Sequence, residues 1–245
     1  MKKYARAFFA AALAAAAALT PHAPASAQDD WQKRTFQEWT KEDAQKILTD
    51  APWAQTKGVQ GEMVDPTGGE VISGATGSPK ALTLRLRSAL TVRLAILRLR
   101  QLRAKYDKMS DAEKADFNIK NKELVQCQAC EDNYVVALSP PPGRDKGVPV
   151  ALNSMSLKAV QNYVKLMDER GQSRGLVHFE PSKVIGGEAL FFFSRYDAKG
   201  APLLTPESKK LVVTFSAEIM GDAASTFSRF EFDVTKMILG GKVVF

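Results

Sequence analysis

Residues 81–100 read ALTLRLRSALTVRLAILRLR, and within this stretch the apolar period changes. Leu82, Leu84 and Leu86 alternate with Thr83, Arg85 and Arg87, the two-residue repeat of a half-buried strand. From Ser88 to Lys108 the repeat lengthens. Leu90, Leu94 and Leu97 fall on one flank and Ile96, Leu99 and Leu102 on the adjoining one, which predicts a long helix. From Gly175 onward the period returns to that of strands, in GLVHFEPSKVI, EALFFFSRY, KLVVTFSAE, FSRFEFDV and KVVF. Gly186-Gly187 and Gly240-Gly241 sit between such runs, where tight turns need positive φ. Successive strands joined by short turns pair antiparallel. The expectation is an α+β fold, an antiparallel β-sheet with several α-helices packed on one face.

Outward from this junction the local signals are clear. TKEDAQKILTDAPW, residues 40–53, predicts a short helix in which Thr40 caps the start and Asp43 completes a capping box. Ala44, Ile47, Leu48 and Ala51 form its apolar face, Pro52 ends it, and Trp39 and Trp53 bracket it. Ser110 and Glu113 form a second capping box, opening a polar helix to about Lys122. DNYVVAL, residues 132–138, predicts a strand, and Val59–Val64 another. SLKAVQNYVKLMDERG, residues 156–171, predicts an amphipathic helix with Leu157, Val160, Val164 and Met167 on one face and Gly171 as its C-terminal cap. Residues 65–79 form a flexible Gly-rich loop, and the prolines at 140–142 open a second loop. Gly69 and Gly74 have the spacing of a phosphate loop, but Ala75 stands where lysine is required.

EWTKEDAQKILTDAPWAQT, residues 38–56, resembles the start of an uncharacterised family of exported bacterial proteins. LRSALTVRLA, residues 86–95, and APLLTPESKK, residues 201–210, are similar to the same family. The resemblance implies export and brings no activity with it.

The first residues say the same independently. Lys2, Lys3 and Arg6 precede an apolar run from Ala7 to Leu19, followed by Pro21, Pro24 and the small triplet Ala25-Ser26-Ala27. This reads as a signal peptide over residues 1–27, leaving a single α+β domain at 28–245. No cysteine lies near the cleavage point to carry a lipid, and no later stretch is apolar and long enough to span a bilayer. Cleavage removes three positive charges, lowering the formal net charge from +7 to +4.

Counting excludes several chemistries. His22 leaves with the leader, so His178 is the one histidine of the mature chain, too few for a His₃ or HExxH zinc enzyme. His178 lies mid-strand in LVHFEP and reads as a strand-face residue. A purely carboxylate mechanism needs no histidine, but no acidic pair stands out. No cofactor is expected.

Cys127 and Cys130 form a C-x-x-C within LVQCQACEDNYVVAL. Two thiolates and one histidine cannot make a four-ligand zinc site, and Glu131 replaces the histidine of a haem-attachment motif. A disulfide is sterically possible only if CQAC is a turn, because residues three apart in a strand lie about 10 Å apart. A structural disulfide is the first reading, with free thiols and a redox pair as alternatives. A helix before the pair, a strand after it, and Glu131 with Asp132 beside it all run against the redox arrangement.

Charge is concentrated. Between Leu82 and Lys108 eight basic residues face one acid, Asp107. Arg85, Arg87 and Arg93, where strand meets helix, are the first choice for an anion site. The partners this stripe suits are an anionic envelope component or an acidic protein; nucleic acid is not expected. The function so read is a non-enzymatic binding or envelope-associated module, with a thiol-redox protein or an unrecognised hydrolase as rivals.

Overall fold

A computed structural model describes residues 30–58, 81–141, 152, 154–183, 187–220, 224–239 and 242–244. The leader expected at 1–27, the strand expected at Val59–Val64, the Gly-rich loop expected at 65–79, most of the expected second loop, and Gly186, Gly240 and Gly241 lie outside these residues.

The fold is α+β with antiparallel pairing throughout the described strands. Those strands divide into two main sheets instead of the single one expected. The larger has the order β1-β2-β3-β4-β8-β7, built from Asp50–Ala51, Ala54–Gly58, Ala81–Leu86, Asn133–Ser139, Ala189–Ser194 and Leu176–Glu180 respectively. The smaller has the order β10-β9-β5-β6, from Arg229–Asp233, Lys210–Phe215, Val164–Asp168 and Ser173–Arg174. A short hairpin of β11, Ile238–Leu239, and β12, Lys242–Val243, follows.

Aromatic packing joins the sheets. On β4 and β8, Tyr134, Val136 and Leu138 pair with Phe193, Phe191 and Ala189, all fully or nearly fully buried. The Phe191 ring meets Phe215 of β9 edge-on at 5.6 Å, and Phe215 meets Phe230 of β10 at 6.1 Å. One contiguous apolar cluster therefore runs through both sheets and into the helices. Edge-on rings add to the large area that each phenylalanine buries.

The helices follow local rules. α1, Lys41–Thr49, starts at Thr40, whose hydroxyl accepts from Asp43 N while the Asp43 carboxylate accepts from Thr40 N. Trp39 and Trp53 are both buried at its two ends. α2, Leu90–Ala104, packs against α1. Its buried stripe is Val92, Ala95, Leu97 and Gln101, while Leu90 is 40% exposed. The smaller Val92 and Ala95 let the helix approach closely, and the bulkier Leu94, Ile96 and Leu99 wedge in at its sides. α3, Asp111–Lys120, has the predicted capping box of Ser110 and Glu113 but buries no residue. α4, Lys122–Val125, and α5, Ala129–Asp132, lead into β4.

One expected helix is mostly strand. Only Leu157–Val160 is helical in the stretch 156–171; Val164–Asp168 is β5. Val160, Val164 and Met167 fit a helical face, yet Val164, Leu166 and Asp168 fit an alternating one equally well. Pairing with β9 settles the period in favour of the strand. Gly171 is not a helix cap; it turns the β5–β6 hairpin at φ 78°, with Asp168 accepting from Arg170 N and Gln172 N.

Candidate functional site

β3 lies inside its sheet and is buried on both faces, not half-buried as its alternation suggests. Leu82, Leu84 and Leu86 point into the main core, so Thr83 and Arg85 point to the opposite face. Thr83 pairs there with Ser139, and Arg85 with Ala137. Val135 and Phe192 occupy the same face, where they form a second apolar cluster with Cys130. Both features singled out in the sequence, the arginines and the cysteines, therefore belong to one side of the sheet.

The three arginines are differently employed. Arg85 is 4% exposed and bonds inward: Nε donates to Leu48 O, and Nη1 donates to Ser139 Oγ and to Glu188 Oε1 at 3.2 Å. It fastens β3 to α1, to β4 and to Glu188. Arg87 Nε lies 3.8 Å from Glu188 Oε2. Arg93 donates to Leu124 O at 3.2 Å, Val125 O at 3.0 Å and Ser88 O at 3.3 Å, tying α2 to the last turn of α4. Among the described residues Glu188 is the one carboxylate that pairs with this group.

That imbalance shows in the electrostatics. Burial pushes all three guanidinium pKa values down. Glu188 opposes the shift at Arg85 and Arg87, while Arg87 bears on Arg93 and Arg100 on Arg87 as like charges. Three polar atoms, two on the β3–α2 turn and one in the first turn of α2, are buried with no hydrogen-bond partner among the described residues: Arg87 Nη1, Ser88 Oγ and Arg93 Nε. Buried donors are rarely left unmade. The same turn begins a 15-residue helix with no side-chain cap at Ala89 and no acid in its first turn. Free N–H groups and the positive end of the helix dipole thus add to the guanidinium charge.

A cleft of about 340 Å³ opens at this turn. Ser88, Arg93, Val125, Gln126 and the two cysteines line it. Glu131, Arg195 and Tyr196 complete it. The CQAC segment turns from the end of α4 into the first residues of α5, with Cys130 N donating to Cys127 O at 3.0 Å and the Cα atoms 5.3 Å apart. The two cysteines are joined as a disulfide. Cys127 is half-buried, whereas Cys130 is 5% exposed against Val135 and Phe192.

Arg195 was not among the residues the sequence pointed to. It follows the FFFS run of β8, and nothing near it in the chain marks it as part of a site. The pairing of Asn133 with Ser194 sets it beside the cysteines. Its Nη2 donates to Cys130 O at 2.9 Å, and its guanidinium lies 4.8 Å from the centre of the Tyr134 ring. Burial lowers its pKa, opposed by Tyr134, Tyr196 and Asp132.

His178 stands on β7 as expected, exposed, with its ring 5.0 Å from Phe192 and Nε2 3.3 Å from Glu180 Oε1. No group of three or more histidine, cysteine, aspartate or glutamate residues is arranged to hold a metal ion among the described residues. No described helix is long and apolar enough to cross a membrane. Compared with protein-family models, with curated proteins and with solved structures, the chain finds no match.

Proposed function

We propose that this protein is an exported, disulfide-stapled binding module, non-enzymatic, that holds an anionic group at the turn between β3 and α2. The observation that carries this reading is the set of buried atoms Arg87 Nη1, Ser88 Oγ and Arg93 Nε, without partners among the described residues, on the turn and first helical turn where arginines outnumber their carboxylates. A phosphate or carboxylate oxygen supplies the acceptors those donors lack, and the uncapped start of α2 adds attraction for the same charge. In an envelope the group belongs to a lipid headgroup, an acidic polysaccharide or an acidic protein. Export is supported by the leader-like residues 1–27 and by the disulfide, which suits an oxidising compartment. Arg85 is left out of the binding set because its donors are spent on Leu48, Ser139 and Glu188.

Calorimetry with inorganic phosphate, against chloride at matched ionic strength, tests the site. Saturable phosphate binding that weakens at least tenfold in Arg93→Gln and in Ser88→Ala is expected. Equal heats for phosphate and chloride, or undiminished binding in both variants, overturn the reading.

A further inference from the structure

The anion site and the disulfide share one cleft, and the two sulfurs are unequally placed in it. Cys127 is half-buried and Cys130 is 5% exposed, and both line the cleft. Arg93 also lines the cleft, and Arg195 is fixed to the Cys130 carbonyl at 2.9 Å. Glu131 is the opposing charge on the lining, and Asp132 lies close enough to act on Arg195. The exposed Val125 and Tyr196, 47% and 43% accessible, give the rim an apolar margin.

We propose that the Cys127–Cys130 bond is a stoichiometric oxidant for small thiols that carry a carboxylate, which the guanidinium-lined cleft selects over neutral and cationic thiols. This rests on the anion-binding reading and gives that site a substrate class. The acid group seats toward Arg93 and Ser88 while the thiolate sulfur approaches Sγ of Cys127, the less buried of the two residues. Attack there forms a substrate–Cys127 disulfide and breaks the protein S–S bond, and the electron pair leaves on Cys130 as a thiolate. A positive charge held beside the Cys130 residue by Arg195 favours that departure. A second substrate thiolate then attacks the substrate sulfur of the mixed disulfide and releases Cys127 as thiolate. Two thiols become one disulfide, and the protein disulfide becomes a dithiol, so the two electrons balance without any other oxidant.

The experiment follows the appearance of protein thiols by alkylation and mass spectrometry after mixing the oxidised protein with 3-mercaptopropionate, 2-mercaptoethanol or cysteamine. Rates are compared per thiolate. The expected order is mercaptopropionate above mercaptoethanol by about tenfold, with cysteamine slowest, and a preference that shrinks in salt. Arg93→Gln should erase most of the preference. Because that variant also removes ties to α4, Glu131→Gln provides a second arm: it deletes the opposing charge and should enlarge the preference. Equal rates for the three thiols, or a preference unmoved by both variants, overturn the proposal. Phosphate binding measured on the same samples separates the two readings. Binding without thiol preference leaves the anion site standing and removes the exchange chemistry; loss of both removes the site.

Discussion

Arg85 Nη1 and Glu188 Oε1 lie 3.2 Å apart, tying β3 to the residue that precedes β8 across the intervening β4. Glu188 holds Arg87 as well, so among the described residues a single carboxylate pairs with one buried and one half-buried guanidinium.

Glu188→Gln should therefore destabilise the fold by about 2 kcal/mol, the scale of losing a hydrogen bond to a charged group while its partner stays buried. Urea denaturation of the oxidised protein measures this, and a change within about 0.5 kcal/mol would count against the pair as a structural tie.

Phe191 bridges the two sheets through Phe215, and neither side chain is more than 2% exposed. Phe191→Ala should cost about 3–5 kcal/mol as a cavity opens between the sheets. Ile119→Ala, on the 73% exposed face of α3, should change stability by less than about 0.5 kcal/mol. Thermal denaturation of the two variants side by side distinguishes them.

The capping box of α1 gives a pH dependence. Burial opposes ionisation of Asp43, but the Thr40 N–H, the Arg34 guanidinium and the Thr40 hydroxyl together hold its pKa below the ordinary value. The folded pKa is thus lower than the unfolded one. The stability it contributes is present above about pH 4 and is lost as pH falls through the folded value. Asp43→Asn should flatten the acid limb of the stability–pH curve in that window, and Thr40→Ala should cost about 1 kcal/mol at neutral pH.

The disulfide closes a very short loop and packs in the small cluster of Val135, Phe192 and Leu190. The paired Cys127→Ser and Cys130→Ser variant should lose no more than about 2 kcal/mol in the entropy model. Methyl spectra of the main core, around Leu84 and Val213, should stay in place while those of Val135 move.

What was legible in the sequence is what short-range physics decides. The capping boxes at Thr40 and Ser110, the strands LTLRLR and DNYVVAL, and the turn demanded by a Cys127–Cys130 bond all depend on neighbours a few residues away. The division into two sheets was not legible, because each strand shows which of its faces is apolar but not which strand it will pair with. Val164–Asp168 was misread for the same reason: its residues satisfy both periods until β9 pairs with them. Of the candidate anion residues, Arg87 and Arg93 each keep a buried donor without a partner among the described residues, while Arg85 bonds Leu48, Ser139 and Glu188, partners distant in the chain. Arg195 reaches the cleft only through the register of β4 with β8.

That register also has a consequence in time. Tyr134 finds Phe193 only after residues 140–192 have been made, so during synthesis β3 and β4 wait with one margin bare. Under the export proposed above, such a delay helps threading through a narrow channel, since nothing closes early that must later be pulled open. Until the second half arrives, Val136 and Leu138 are bait for a holdase, and slowing translation between residues 140 and 188 should lengthen its grip.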